Sequence, residues 1–270
     1  MTAPSVTSYN QPGGYYQLTV EATDDHGNTA TDTSARLTVK ETTKPVITIT
    51  SPANGAFVGN NRQPIVFTLR DEVNGSGVKL STLALKIDGG ATVGSSSSGM
   101  VCTAVTNGYD CTYTPPSALS DGQHTVTINV SDNDGNTATQ KSTTFAIDTI
   151  PPILNVTAPV DNLKTNVASL NVTGTTNDAV SSPVTVTVKL NNVDQGTAAV
   201  QGDGSFSKTI TLANGNNTIK VRATDAAGQY TEITRSVSLK TSSPSISSVS
   251  VTPNPVNASE NITISCTVIE

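Results

Sequence analysis

One seven-residue motif occurs three times, and its spacing constrains the fold more than any other feature. The copies are ATDDHGN at residues 22–28, VSDNDGN at 130–136 and ATDAAGQ at 223–229. Each copy lies between two stretches in which apolar and polar residues alternate, which is the pattern of a strand, an Asp-x-x-Gly turn and a second strand. From one copy to the next the distance is about 100 residues, the size of one small β-sandwich. The sequence therefore predicts a tandem array of such domains.

Proline-containing linkers and turn residues divide this array into four segments. The Ile150-Pro151-Pro152 linker is predicted to be stiff, because each proline fixes its own backbone angle. Two segments have the length of a complete domain, and the outer two supply only the last or the first strands of one. The predicted segments are 1–43 (last strands of a domain), 44–148 and 149–241 (complete domains) and 242–270 (first strands of a further domain).

The alternation is clearest in the third segment. Val184, Val186, Val188 and Leu190 share one face of a predicted strand, with threonines and a lysine on the other. A strand with one dry and one wet side is typical of a two-sheet sandwich. In the first segment we expect strands at 15–22 and 35–39, with a further strand at 6–9.

Composition excludes several classes of protein. Charged residues make up 13% of the chain, and the net charge of −6 comes with no basic patch, so nucleic acid is not an expected partner. No stretch approaches the roughly 18 consecutive apolar residues of a membrane span. The first residues, MTAPSVTSYNQ, have neither a basic start nor an apolar core, so no signal peptide is visible.

The third segment resembles the bacterial immunoglobulin-like modules, including the type named from glucodextranase domain B. The resemblance lies in ILNVTAP at 153–159, the Gly-x-Gly-x-Phe pattern at 202–206 and LANGNNTIKVRATDAAG at 212–228. The second segment, from PVITITSPANG at 45–55 to FAIDT at 145–149, is similar to the same broad group. The resemblance implies an all-β chain of tandem immunoglobulin-like β-sandwiches, two complete and two partial. It also implies a non-catalytic spacer, display or adhesion role at the bacterial cell surface or in a secreted protein, and so an extracellular location.

Acidic residues gather where such domains would join. In an immunoglobulin-type sandwich the loops after the second and sixth strands lie at the end where the chain enters, so each linker should meet them. Carboxylate and carbonyl oxygens are the ligands that Ca²⁺ requires, which predicts calcium at two junctions. The aspartate before Pro-Pro also matches the calcium-binding variants of the adhesin arrays that this chain resembles. The predicted ligands are Glu41, Asp71, Glu72, Asp132 and Asp134 at the first junction, and Asp148, Asp178 and Asp225, with Asn177, at the second.

A simpler interpretation of these acids stays open. Asp and Asn before Gly are the ordinary residues of tight turns, where their side chains accept hydrogen bonds from the local backbone. If the calcium sites exist, we expect the weak affinity of extracellular sites, with Kd of about 10⁻⁴ to 10⁻³ M. The third junction offers Lys240 and no acid, so we expect no cation there.

Two of the three cysteines are placed for a disulfide. Cys102 and Cys111 flank the turn-forming Asn107-Gly108 pair, so a hairpin would bring them opposite one another. Closing so short a loop contributes about 2.7 kcal/mol in the chain-entropy model and indicates an oxidising compartment. The alternative is a pair of buried thiols in facing strands. Cys266 has no mate in the sequence, and a partner for it would lie beyond Glu270.

No residue pattern indicates catalysis. His26 lies in a predicted turn and His124 begins a strand about one domain away, and neither has a nucleophile near it. Glycan binding normally uses exposed aromatic platforms, but the chain has no Trp and few Tyr. We therefore expect this chain to have no enzymatic activity. The expected partners are neighbouring immunoglobulin-like domains of the same or another copy, and a protein or glycan receptor at a surface.

Two further functions compete with a spacer or adhesion array. Segments 1–43 and 242–270 hold the last and the first strands of a sandwich, so copies could complete one another head to tail and form a filament. These segments together lack the middle strands of a domain, which weighs against that model. The other alternative is an accessory module of a secreted polysaccharide-degrading enzyme.

Overall fold

The computed structural model describes residues 1–269, and almost all of its regular structure is β-strand. It separates into two compact units. The first unit contains residues 1–150 with 226–229, and the second contains the remaining residues. The prediction of an all-β chain built of immunoglobulin-like sandwiches is confirmed.

The first unit contains a sandwich of two four-stranded sheets. One sheet has the order β5-β7-β10-β9 with antiparallel pairing throughout. The other has the order β6-β12-β11-β8, in which β6 pairs parallel to β12. The strands are β5 (Val46–Ser51), β6 (Ala56–Val58), β7 (Ile65–Arg70), β8 (Val78–Ile87), β9 (Met100–Val105), β10 (Gly108–Tyr113), β11 (Gly122–Asp132) and β12 (Lys141–Ile147).

Alternation decides which side chains enter this sandwich. In β7, Ile65, Phe67 and Leu69 are fully buried and the residues between them are half-buried. In β11 the residues Val126, Ile128 and Val130 are buried in the same way from the opposite sheet. Successive side chains of a strand point to opposite faces, so each sheet contributes one apolar face to a shared core.

The second unit closes its two sheets into one eight-stranded sheet with the order β13-β15-β18-β17-β16-β19-β20-β14. Val186 and Val188 of β16 are fully buried, as their alternation predicts. The sequence pattern does not predict the short strand β14 (Leu163–Thr165) or strand β17 (Val193–Val200). The sequence of β17, VDQGTAAV, has no clear alternation, and this strand pairs with β16 on one side and β18 on the other. The strands are β13 (Ile153–Ala158), β14 (Leu163–Thr165), β15 (Ser169–Asn177), β16 (Thr185–Leu190), β17 (Val193–Val200), β18 (Ser205–Thr211), β19 (Gly215–Thr224) and β20 (Tyr230–Leu239).

Residues 1–43 form short paired strands. β1 (Tyr16–Gln17) pairs with β4 (Arg36–Leu37), and β2 (Val20–Thr23) pairs with β3 (Thr29–Asp32) around the first copy of the motif. The strand expected at residues 6–9 is wrong, because Ser8–Asn10 forms a 3₁₀ turn. The Ser8 N–H donates to the Val39 carbonyl, so this turn is held against the end of the segment.

The last described residues form one hairpin, β21 (Ser245–Thr252) with β22 (Thr263–Ile269). Its register places apolar residues opposite one another on one face and serines and threonines on the other. Cys266 lies opposite Val249 on the apolar face and is exposed.

The hairpin of β9 and β10 carries the disulfide. Cys102 lies directly opposite Cys111 with the Cα atoms 4.1 Å apart, and the two sulfur atoms are bonded. Val105 pairs with Gly108, so the turn residues are Thr106 and Asn107, one position earlier than expected. Asn107 has a φ of 59°, a conformation that asparagine adopts more readily than most residues.

His124 is a buried side chain at the start of β11. Its Nδ1 lies 2.7 Å from the Asp88 carboxylate and its Nε2 lies 2.8 Å from the Ser120 carbonyl. Both partners are acceptors, so both ring nitrogens carry protons in this arrangement and the imidazole is charged. Burial alone would lower the pKa of His124, but the bonds to Ser120 and Asp88 outweigh it and the pKa is raised.

This raised pKa predicts a pH-dependent stability of the first unit. A group with a raised folded-state pKa contributes its full stability below its unfolded pKa of about 6.5, and that contribution is lost as the pH rises through the folded value. We expect the free energy of unfolding of the first unit to fall as the pH rises above the unfolded pKa of about 6.5, by up to the roughly 1.5–3 kcal/mol of a charge-assisted hydrogen bond. Urea denaturation followed by NMR signals of core residues such as Ile128 measures it.

His124→Gln is the matched variant, because it keeps a polar side chain and removes the titration. It should be less stable at pH 6 and should lose the dependence on pH. The same decline with pH in the wild type and the variant would contradict this assignment.

Candidate metal centre

Three of the five acids predicted for the first junction come together at one end of the first sandwich. Asp71 directly follows β7 and Asp132 ends β11, so the two strands deliver both residues to the same edge of the core. Glu41 is the third member and precedes the first strand of this sandwich. One carboxylate oxygen from each of the three lies within 4.8 Å of the others. Two oxygens bound to one Ca²⁺ at about 2.4 Å are separated by at most about 4.8 Å, so this spacing fits a shared cation.

Glu41 and Asp71 are buried, with exposed fractions of 6% and 8%, and each has one satisfied and one unsatisfied oxygen. Glu41 Oε1 accepts hydrogen bonds from the Ser76 N–H and hydroxyl at 3.2 and 2.8 Å. Asp71 Oδ2 accepts one from the Gly77 N–H at 2.7 Å. Glu41 Oε2 and Asp71 Oδ1 are buried and receive no donor within the described part of the chain. A buried carboxylate oxygen without a donor or cation is costly, so this pair indicates a ligand.

Glu72 adds a third such oxygen, since its Oε2 is also buried without a donor among residues 1–269. Burial raises the pKa of Glu72 to about 7, and the contacts with Glu41 and Asp71 act in the same direction. Burial alone would raise the pKa of Glu41, but the bonds from Glu72 and Ser76 outweigh burial and lower it. A raised pKa of one acid beside a lowered pKa of its neighbour is the expected result of repulsion among close carboxylates.

No Lys or Arg among the described residues 1–269 forms an ion pair with Glu41, Asp71, Glu72 or Asp132. The negative charge of the group is therefore not balanced by a side chain. A divalent cation would balance it and would supply the missing partner of each unsatisfied oxygen.

Asp132 also accepts hydrogen bonds within the turn of its own motif. Its Oδ1 accepts from the N–H groups of Gly135 and Asn136 at 2.7 and 2.8 Å, and its Oδ2 accepts from the Asn136 side chain at 2.8 Å. This is the local bonding that the simpler interpretation of the motif describes. A carboxylate oxygen has two lone pairs, so the single bond to Oδ2 leaves that oxygen able to bind a cation, while the two bonds to Oδ1 occupy both of its lone pairs.

Asp134 performs a different task from the other four acids. Its Oδ1 accepts the hydrogen bond of the Tyr9 hydroxyl, and its Oδ2 accepts from the Glu41 N–H at 3.0 Å. Burial raises the pKa of the Tyr9 phenol, and the Asp134 carboxylate raises it further. Asp134 thus attaches residues 1–43 to the loop of the motif and is not a member of the close carboxylate group.

The acids predicted for the second junction belong to different units. Asp148 follows β12 in the first unit, where its Oδ1 accepts the Ile150 N–H at 3.0 Å. Asp178 and Asp225 belong to the second unit and have carboxylate oxygens within 4.8 Å of one another. Asp178 Oδ1 also accepts from the N–H groups of Val180 and Ser181, as in a turn. Calcium at this second set stays a prediction.

Sequence reasoning missed the supporting residues Tyr9, Ser76 and Asn136. Asn136 could have been found, because Asp24 and Asn28 in the first motif copy make the same set of bonds as Asp132 and Asn136. Tyr9 and Ser76 belong to irregular segments without a pattern, so no sequence signal places them beside the acids.

Comparison with known proteins finds two family models that match consecutive parts of the chain. A family model described as "Bacterial Ig-like domain" matches residues 53–149, and one described as "Glucodextranase, domain B" matches residues 152–241. A stretch of 113 residues, 42% of the chain, is 39% identical to Bacillopeptidase F of Bacillus subtilis strain 168. That match spans 7% of the length of Bacillopeptidase F.

Solved structures of tandem modules are also similar. The fibronectin(III)-like modules of Clostridium thermocellum CbhA match with a TM-score of 0.46 and 17% identity, over 72% of this chain and 94% of that one. A tetra-tandem repeat from the extending region of a large adhesion protein matches with a TM-score of 0.31 and 23% identity, over 93% of this chain and 69% of that one. Within residues 1–269, none of the helical structure could cross a membrane.

The motif copy at 130–136 has a buried aspartate, and the copy at 22–28 has an exposed one. Comparing the two tests how much burial adds to the stabilising effect of the turn's hydrogen bonds. Asp132→Ala removes the acceptor of three hydrogen bonds in a buried site, and at about 1 kcal/mol each we expect a loss of about 3 kcal/mol in the first unit. Asp24→Ala removes the equivalent bonds in an exposed hairpin, where water replaces the acceptor, and should cost less than about 1 kcal/mol. Denaturation in chelator measures both, and equal losses would contradict the role given to burial.

Proposed function

Because the chain is an array of bacterial immunoglobulin-like domains, we propose that it is a non-catalytic extracellular array that acts as a spacer or adhesion unit and displays a partner module. Immunoglobulin-like domains of this kind are typically non-catalytic, and the chemistry of a protein that contains them belongs to other modules. In this proposal the array holds its partners at a distance and orientation set by its junctions.

We propose further that Ca²⁺ binds at Glu41, Asp71 and Asp132 and stiffens the first junction. The carrying observation is the pair of buried oxygens, Glu41 Oε2 and Asp71 Oδ1, that lack a donor in two residues of a close group of three carboxylates. Glu41 lies in the linker and the other two lie in the domain loops, so one ion would join both parts. The bond from Asp134 to the Glu41 N–H already holds the linker close to this position.

The choice of Ca²⁺ follows from the ligand chemistry. All the candidate ligands are oxygens, which favours a hard cation and disfavours zinc or copper. The ligands come from a linker, a loop and the last residue of a strand, an irregular set that suits the variable geometry of Ca²⁺ better than the strict octahedron of Mg²⁺.

Calcium should stabilise the first unit of the whole chain. With a Kd of about 10⁻⁴ to 10⁻³ M, a concentration of about 10 mM Ca²⁺ raises the free energy of unfolding by about 1.4–2.7 kcal/mol through mass action. Calorimetric titration and denaturation, with and without chelator, measure the binding and the stabilisation. The N–H of Glu41 should also exchange more slowly with calcium present.

Asp71→Asn separates the metal site from a simple turn. The variant keeps an oxygen for the Gly77 N–H, so the turn survives, while the loss of charge weakens calcium binding at least tenfold. Glu21→Gln is the matched control, because it removes one charge from an exposed acid of the same unit that belongs, among residues 1–269, to no close group of carboxylates. Unchanged calcium affinity in Asp71→Asn, or no stabilisation of the wild type by calcium, would reject the site.

A second candidate function is that of an accessory module in a secreted hydrolase. The supporting observation is the match of 113 residues to part of Bacillopeptidase F. In this model the array belongs to a larger polypeptide whose catalytic domain lies elsewhere. Mass spectrometry of the intact protein from its native cell should then recover catalytic-domain peptides covalently continuous with this chain, and an intact mass without them would reject the model.

A further inference from the structure

Strand β9 (Met100–Val105) is an open edge of the first sandwich. It ends the order β5-β7-β10-β9 and, among residues 1–269, pairs with β10 alone, whereas the opposite edge strand β5 carries a bulge between Ile49 and Ser51. In the second unit the missed strand β17 bridges β16 and β18, so the corresponding side of that sandwich is closed. The edge of β8 in the first unit is partly covered, because Leu85 exchanges two backbone hydrogen bonds with Val93.

The register of β9 shows which of its backbone groups face the open side. Cys102 and Cys111 are opposite one another with Cα atoms 4.1 Å apart, the short spacing of a non-hydrogen-bonded antiparallel pair. The N–H and C=O groups of Cys102 therefore point away from β10. The backbone N–H and C=O groups of successive residues point to opposite sides of a strand. Those of Ala104 therefore point away from β10, like those of Cys102, and those of Thr103 point towards β10.

Natural edge strands are usually protected by charge, proline or a bulge, and β9 has none of these. Its sequence MVCTAV contains no charged residue, and its pairing with β10 is regular over six residues. Val101 and Val105 project from its solvent face with exposed fractions of 66% and 39%. An unprotected edge with open hydrogen-bonding groups is a template for another strand.

We propose that the occupant is β9 of a second copy, paired antiparallel about a two-fold axis at Thr103. In this register the outward N–H and C=O groups of Cys102 exchange two hydrogen bonds with those of Ala104 in the other copy. The two-fold axis repeats this pair, which gives four hydrogen bonds. Val101 then lies opposite Val105 of the other copy, and Thr103 lies opposite itself. Both pairs are favourable across antiparallel strands, so the edge is self-complementary.

Charge does not oppose this pairing. The nearest acid on the solvent face is Asp110 of β10, opposite Thr103, and it is already paired with Arg70. In the proposed dimer the two copies of Asp110 would be three strand spacings apart, about 14 Å, which exceeds the screening length at physiological salt. The two sheets would join into one continuous eight-stranded sheet, and the array would be linked side by side with a second array.

The first test is the oligomeric state of the whole chain by sedimentation velocity across a wide concentration range. The wild type should form a dimer as concentration rises. Ala104→Pro removes an outward N–H and leaves the bonds to β10 intact, so it should stay monomeric, while Ala104→Ser should dimerise like the wild type. Thr103→Lys should also stay monomeric, because it places two like charges opposite one another on an exposed face.

The second test fixes the register. In a Cys266→Ser background, a mixture of Val101→Cys and Val105→Cys chains should form disulfide-linked dimers under mild oxidation, because those positions face each other across the axis. Either variant alone places its new cysteines four residues out of register, beyond the reach of a disulfide. A monomeric wild type at all concentrations, or cross-linking of each variant alone as efficient as in the mixture, would overturn the proposal.

Discussion

Both complete sandwiches depend on strands that have one buried, apolar face. Side chains alternate between the two faces of such a strand, so each sheet has one apolar face that is stable only when it is removed from water. In each sandwich a second sheet with the same pattern packs against that face. Phe67 and Leu69 from one sheet and Ile128 and Val130 from the other meet in this way in the first unit. Because the core fixes the strands, it also fixes the edge at which their loops end, and the acids of those loops are brought together as a result.

The carboxylates at the end of the first sandwich differ in whether they stabilise the fold by themselves. Asp132 contributes to the turn through bonds to backbone and side-chain N–H groups, and the domain would use it even without a cation. Glu41 and Asp71 are different, because one oxygen of each is buried without a donor. A fold does not benefit from that arrangement by itself, since burying an unpaired carboxylate is unfavourable. The cost is explained if these oxygens hold an ion under the conditions in which the protein works.

Much of the fold could be read from the sequence, for reasons tied to particular residues. The spacing of Asp24, Asp132 and Asp225 indicated the array, and the alternation of Val184, Val186 and Val188 indicated a strand with one buried face. Strand β17 was missed because its burial does not alternate, its role being to cross from one sheet to the other. The prediction of a strand at residues 6–9 was wrong because the Ser8 N–H donates to the carbonyl of Val39. The local sequence pattern gives no sign of such a contact between distant residues. The acids at the first junction followed from topology, whereas the separate role of Asp134 and its bond to Tyr9 depended on contacts between distant segments.

The parallel pairing near the ends of each sandwich has a mechanical consequence. β6 follows the entry of the chain into the first sandwich and pairs parallel to β12, which leads to its exit, and β14 pairs in the same way with β20 in the second unit. A pulling force on the two termini draws such strands past each other along their length. The hydrogen bonds between them then bear the load together rather than one after another, as they would when a hairpin is opened from its end. A sandwich built in this way resists being stretched by its two ends.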